Sequence, residues 1–133
     1  MKSRKDLELI LNIKRPPKLG EIYWCRFPET IYRKEFGYGG KIHRPVIIFS
    51  RKNTLHGTSM VIPLSTAEQT RPKFSVKMES PIDGQDTWAV CSHILTVSNY
   101  RLCPDFNKGL LRVPHDVFQE IRKNVFANLP DER

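Results

Sequence analysis

Residues 43–50 read His43-Arg44-Pro45-Val46-Ile47-Ile48-Phe49-Ser50. Four consecutive large apolar or aromatic residues behind a proline, ended by serine, form a run of strand length, too short for a helix and too apolar for a half-exposed edge. The stretch is therefore expected to be a central strand with Arg44 at its head. On its own residues Arg44 reads as a salt-bridging cap of that strand.

Working outward, the flanking segments are also short and strand-like. Glu21-Ile22-Tyr23-Trp24-Cys25-Arg26-Phe27 is rich in aromatic residues and stops at Pro28. Ser59-Met60-Val61-Ile62-Pro63-Leu64 leads into Ser65-Thr66, which reads by itself as the turn that ends a strand. Phe74–Met78 alternates with period two, Asp83-Gly84 marks a turn, and Thr87–Cys91 is expected as a buried strand. Ser92–Val97 follows, and residues 103–110, with Pro104, Asn107 and Gly109, read as a loop. A helix is expected over about 115–127: Pro114 suits its start, Asp116 the positive end of its dipole, and Val117, Ile121 and Val125 share one face. Short strands at regular spacing before one terminal helix predict a mainly β, α+β domain built as a small barrel.

The 133 residues fit one domain, taken as 19–133, preceded by a basic extension, 1–18. Within the extension, Asp6–Ile13 has the pattern of one or two helical turns, stopped by Pro16-Pro17. It reads as a docked or mobile arm. The three cysteines, Cys25, Cys91 and Cys103, are odd in number and widely spaced, so they are expected as reduced thiols of a cytoplasmic protein. No apolar run approaches the roughly 18 residues of a membrane span. The motifs of nucleotide cofactors, HExxH zinc sites and nucleophile elbows do not occur, so neither cofactor nor metal is expected.

The net charge is +8, all of it in the first part of the chain: residues 1–52 carry 13 Lys/Arg against 5 Asp/Glu, and residues 53–133 carry 9 against 9. Such a one-sided field attracts phosphate backbones and acidic partners, or keeps a protein soluble, and charge alone does not choose. Residues 29–42 combine Arg33, Lys34 and Lys41 with Tyr32, Phe36, Tyr38 and three glycines. Aromatics interleaved with cations stack on bases while pairing with phosphates. The segment reads as a ligand-facing loop, against the alternative of a connector whose aromatics pack locally, and Arg33, Lys34, Tyr38, Lys41 and the adjoining His43 are its candidate nucleic-acid contacts.

Taken together, the blocks resemble one family. Gly20–Pro28 is similar to the opening of PemK/MazF toxins, His43–Ser50 to their second strand, Val61–Thr66 to the next, and Cys91–Val97 with Arg101-Leu102 to a later block. The resemblance covers roughly residues 19–128. It implies an SH3-like barrel that forms a homodimer, cuts single-stranded RNA sequence-specifically without metal, and is held by a small acidic antitoxin. It aligns Arg44 with the family's catalytic arginine and Ser65 or Thr66, depending on a one-residue shift, with its catalytic hydroxyl. Some members carry an arginine and an aspartate where this chain has Val90 and Ser92. His93 stands where glutamine is common, and an imidazole there serves as a base, a phosphate ligand or a hydrogen-bonded structural group. Two other readings stand beside this one: a gyrase-binding toxin of the CcdB type on the same barrel, motivated by the lost Arg and Asp, and a catalytically inactive nucleic-acid-binding barrel, motivated by the basic half.

Overall fold

The structure, a computed structural model, describes residues 11–27, 43–67 and 74–130. In chain order the strands are β1 (Glu21–Arg26), β2 (His43–Ile48), β3 (Thr58–Ser65), β4 (Ser75–Glu79), β5 (Asp86–Val90), β6 (Leu95–Ser98), β7 (Leu102–Cys103) and β8 (Leu111–Arg112), followed by helix α1 (His115–Ala127). The pairings described are all antiparallel, with β2 between β1 and β3, and β4 outside β5. The expected mainly β barrel with a terminal helix is what forms.

The curl comes from strands that share an edge lengthwise. β3 gives its first half, Thr58–Val61, to β6 and its last two residues, Leu64 and Ser65, to β5. β1 likewise meets β8 through Glu21 and Ile22 and β7 through Trp24 and Cys25. The segment expected as a loop at 103–110 is thus bracketed by two short strands and contains an Asp105–Gly109 bridge. Two-residue strands lack the hydrophobic periodicity by which a sequence announces a strand.

Strand alternation separates two cores. Ile22, Ile47 and Ile62 point to the side covered by α1, where Ile121 and Val125 complete a cluster. Tyr23, Cys25, Val46, Ile48 and Val61 point to the other side, together with Val97 and Leu102. Ile13, 4% exposed, is part of this second cluster and Leu11 packs against it, so the end of the N-terminal extension docks on the sheet. Residues 11–13 are not helical, and the rest of the expected turn at 6–10 lies outside the described residues. Gly20 joins these layers: at φ 85° its N–H donates to the Ile48 carbonyl and its carbonyl accepts from Val113 N–H. A side chain is strained at that φ.

The thiols differ in accessibility. Cys25 and Cys91 are buried and Cys103 is exposed. Burial pushes the Cys25 thiol up to about 12, although the Arg101 charge opposes it, and the Cys91 thiol up to about 11. Thiolate is the reactive form. A colorimetric thiol reagent at neutral pH is therefore expected to modify Cys103 promptly in the native protein, and Cys25 and Cys91 only after unfolding. Prompt reaction of all three would contradict this packing.

Candidate functional site

Arg44 is the second residue of β2, paired across the sheet with Cys25 of β1. Its neighbours Val46 and Ile48 are fully buried, so the strand head is held by a rigid apolar stem. Arg44 itself is part-buried, and that burial lowers the pKa of its guanidinium from the ordinary value. An arginine remains charged near neutrality even so. The site thus begins with a cation whose surroundings are partly desolvated, where its attraction for an anion is less screened than in water.

The register of the inner pairs bears on which hydroxyl shares its face. β2 and β3 pair Ile48 with Val61, Ile47 with Ile62 and Val46 with Pro63. Carried two residues toward the strand ends, the same register opposes Arg44 to Ser65, and carried one more it opposes His43 to Thr66. Opposed residues project to the same face of a sheet, and successive residues to opposite faces. Arg44 and Ser65 therefore share the face of Val46 and Val61, while exposed His43 lies on the other, with Ile47. The described β2–β3 pairing stops at Val46, beside Pro45, which has no N–H to extend a ladder. Ser65 is part-buried. Its Oγ accepts from Ala67 N–H at 3.2 Å, and its carbonyl accepts from Thr87 Oγ1 at 3.1 Å. Those bonds fix the end of β3 from the β5 side. Thr66 lies beyond the strand and is exposed.

His93 is placed on the far side of β3. The chain crosses from β5 to β6 there, and His93 N–H donates to the Val90 carbonyl at 3.0 Å. Its Nδ1 lies 3.1 Å from Ser92 Oγ. With the register of the inner pairs continued, Arg44 and Ser65 fall on one face at the ends of β2 and β3, while His93 lies in the turn on the other edge of β3. Arg33, Lys34, Tyr38 and Lys41 lie outside the described residues.

Two features near Arg44 escape a reading of the sequence. Arg101, in the 3₁₀ turn before β7, lies close enough for its charge to act on the Cys25 thiol. Cys25 is also the strand partner of Arg44. The second feature is Trp24, whose Nε1 donates to Asp105 Oδ1 at 2.9 Å. That bond, followed by the Lys108 backbone N–H, holds the Asp105 carboxyl below its usual range. It ties the 103–110 segment to β1. Both contacts join residues 76 or more positions apart, and no local pattern announces them.

Among the described residues no group of three or more His, Cys, Asp or Glu is placed to hold a metal ion, and no helix is long and apolar enough to cross a membrane. A curled antiparallel barrel closed by one helix, with an arginine and a serine at the parting ends of its central strands, defines a small family of architectures. Residues 18–129 match the PemK-like, MazF-like toxins of type II toxin-antitoxin systems, and the chain belongs to that family. Solved structures repeat the fold. MazF from Deinococcus radiodurans superimposes with a TM-score of 0.64 at 19% identity, covering 86% of this chain and 96% of that one. A mycobacterial endoribonuclease in complex with its cognate antitoxin superimposes at 0.59 and 22% identity, covering 87% and 99%. The Mycobacterium tuberculosis toxin MazF-mt6 superimposes at 0.55 and 13% identity, covering 85% and 94%. No curated protein matched the chain in sequence.

Proposed function

We propose that the chain is a sequence-specific endoribonuclease toxin that cuts single-stranded RNA without metal, acts as a homodimer and is neutralised by a small acidic antitoxin. The observation that carries this reading is the match of residues 18–129 to the MazF-like family, and the position of Arg44 at the head of β2 and Ser65 at the end of β3 supports it. In such a reaction the RNA's own 2′-oxygen attacks the adjacent phosphorus and the bond to the 5′-oxygen breaks. The 2′-hydroxyl loses its proton, the leaving oxygen gains one, and the products are a cyclic phosphate and a 5′-hydroxyl. The crowded intermediate carries two negative charges. A guanidinium fork spans two phosphate oxygens, and a hydroxyl donates to one of them. Oriented donors aimed at developing charge are commonly the largest catalytic contribution. Arg44 takes the first role and Ser65 the second, with Thr66 outside the reacting group. His93, across β3, is assigned to phosphate binding or to the proton transfers. Arg33, Lys34, Tyr38, Lys41 and His43 are assigned to flanking bases and phosphates.

The test is incubation of the purified protein with a single-stranded RNA in excess chelator, followed by analysis of the new ends. Fragments with 2′,3′-cyclic phosphate and 5′-hydroxyl ends are expected. Intact RNA together with inhibited DNA supercoiling would move the assignment to gyrase binding, and RNA binding without cleavage would move it to an inactive barrel. Within the active protein, Ser65→Ala is expected to lower kcat about tenfold or more, and Thr66→Ala to change it little. The reverse order would shift the catalytic hydroxyl by one residue.

A further inference from the structure

A second cluster of cations lies past the opposite end of β2 from Arg44. Arg15, Lys18, Arg51 and Lys52 line one cleft of about 490 Å³, with Pro17 and Asn53 among its other walls. Among the described residues no acidic or aromatic side chain lines it. Arg51, Lys52 and Lys18 are exposed, and 43% of the Arg15 side chain is open to solvent.

The cleft is built rather than fortuitous. Asn53 Nδ2 donates to the Pro17 and Ser50 carbonyls, each at 2.9 Å, while Asn53 Oδ1 accepts from Ser50 Oγ at 2.6 Å. This stitches the turn after β2 to the N-terminal segment. On the other wall, Arg15 Nη2 lies 2.9 Å from Glu21 Oε2, and Lys18 N–H donates to Glu21 Oε1 at 2.6 Å. That pairing engages one nitrogen of Arg15 and leaves its other donors for the cleft. Lys52 is the one non-glycine among the described residues with positive φ, at 57°. A lysine held in that region is an observed strain of the kind that clusters at ligand sites. Arg15 also precedes the family match, which begins at residue 18, so part of the cleft belongs to this chain's own extension.

We propose that Arg15, Lys18, Arg51 and Lys52 form a phosphate-backbone site for single-stranded RNA, separate from Arg44. The inference rests on the ribonuclease reading for the identity of its ligand. Four cations without an aromatic platform bind backbone charge and are indifferent to base. Arg44 and Ile48 are four residues apart on β2, about 13 Å, and the cleft lies beyond Ile48. An RNA cut at Arg44 reaches the cleft only through nucleotides flanking the cut. Its effect is therefore on affinity for longer RNA and not on the choice of scissile bond.

The experiment uses a fluorescent, fully 2′-O-methylated RNA, which lacks the attacking hydroxyl, and follows binding by anisotropy over a range of salt. The double variant Arg51→Gln, Lys52→Asn removes both charges, and asparagine tolerates the positive φ. Single-stranded binding loses about 0.7 in the slope of log K against log salt per phosphate contact. A slope lower by about 1.4 is expected in the double variant, with unchanged cleavage of a minimal RNA. The charge-keeping variant Arg51→Lys is expected to hold the parental slope, which separates lost charge from a disturbed turn. Equal slopes in parent and double variant overturn the proposal. So does failure of the parent to bind the RNA, or a double variant that loses binding of a polyglutamate peptide while keeping that of RNA. Should the parent fail to cut ordinary RNA while the slope difference persists, the catalytic reading fails and this site stands.

Discussion

Replacing Arg44 by alanine is expected to lower kcat for RNA cleavage by about 10²–10³-fold, with only a small change in melting temperature. The catalytic loss follows from where charge develops. Ground-state RNA has one negative charge at the scissile phosphate and the phosphorane has two, so a fixed guanidinium stabilises the second more than the first. The site is partly desolvated, because Arg44 is part-buried. Water that fills the alanine variant reorganises on each turnover and replaces that preset field only in part. Stability changes little because the residue sits at the strand head, while the buried stem of Val46, Ile47 and Ile48 is untouched. Arg44→Lys is expected to fall between the two, since an ammonium keeps charge but loses the planar fork. Single-turnover cleavage measured beside thermal melting checks the prediction. An alanine variant that folds normally and cuts at the parental rate would remove Arg44 from the mechanism.

Glu21→Ala is expected to cost about 3 kcal/mol of stability. The Glu21 side chain is completely buried. One oxygen accepts from Lys18 N–H at 2.6 Å and from Tyr23 Oη–H at 3.0 Å, and the other meets Arg15 Nη2 at 2.9 Å, with Arg112 Nη2 at 3.7 Å. Such a carboxylate is tolerable in the interior because each of its oxygens is partnered. Alanine strands the Tyr23 hydroxyl in a nearly closed site, and that group carries most of the penalty. Burial, first, and then the Glu21 charge and hydrogen bond push the Tyr23 pKa up, so it stays a neutral donor with nothing to donate to. The arginines cost less, because 43% of Arg15 and 59% of Arg112 remain open to water. Arg15→Ala and Arg112→Ala are accordingly expected to cost about 1 kcal/mol or less each. The loss is also local: Glu21 binds the N-terminal segment to β1, so faster tryptic cleavage after Lys18 is expected in Glu21→Ala. Chemical denaturation and a proteolysis time course test the two effects separately. A variant as stable and as protected as the parent would show that the network contributes nothing.

The sequence carried much of the fold because the relevant signals are local. Val46–Phe49 announces a buried strand by its unbroken apolar run, and Val117, Ile121 and Val125 announce the face of a helix, of which Ile121 and Val125 are buried as expected. Phe126, next to Val125 in the chain, is 56% exposed, with the Arg122 guanidinium 5.0 Å from its ring centre. β7 and β8 were illegible because each is two residues long and exists only through its pairing with β1. Glu21 looked like a polar residue opening a strand. Its burial depends on Arg15, Tyr23 and Arg112 arriving around it, and the last of these is distant in the chain.

By itself, then, the sequence determined that this is a small β-rich chain of the MazF-like type, with Arg44 at the head of a central strand and a hydroxyl pair at the end of the next. Those are properties of short windows and of their order. Only the tertiary structure supplies the register from which Ser65 is assigned to the face of Arg44, the place of His93 across β3, and the basic cleft that the N-terminal segment closes with the turn after β2. The reason is physical. A strand's side chains alternate between two faces, so shifting the pairing by one residue exchanges them all. The choice of register rests on how Val46, Ile48 and Val61 pack together across the sheet, which no window of the sequence contains.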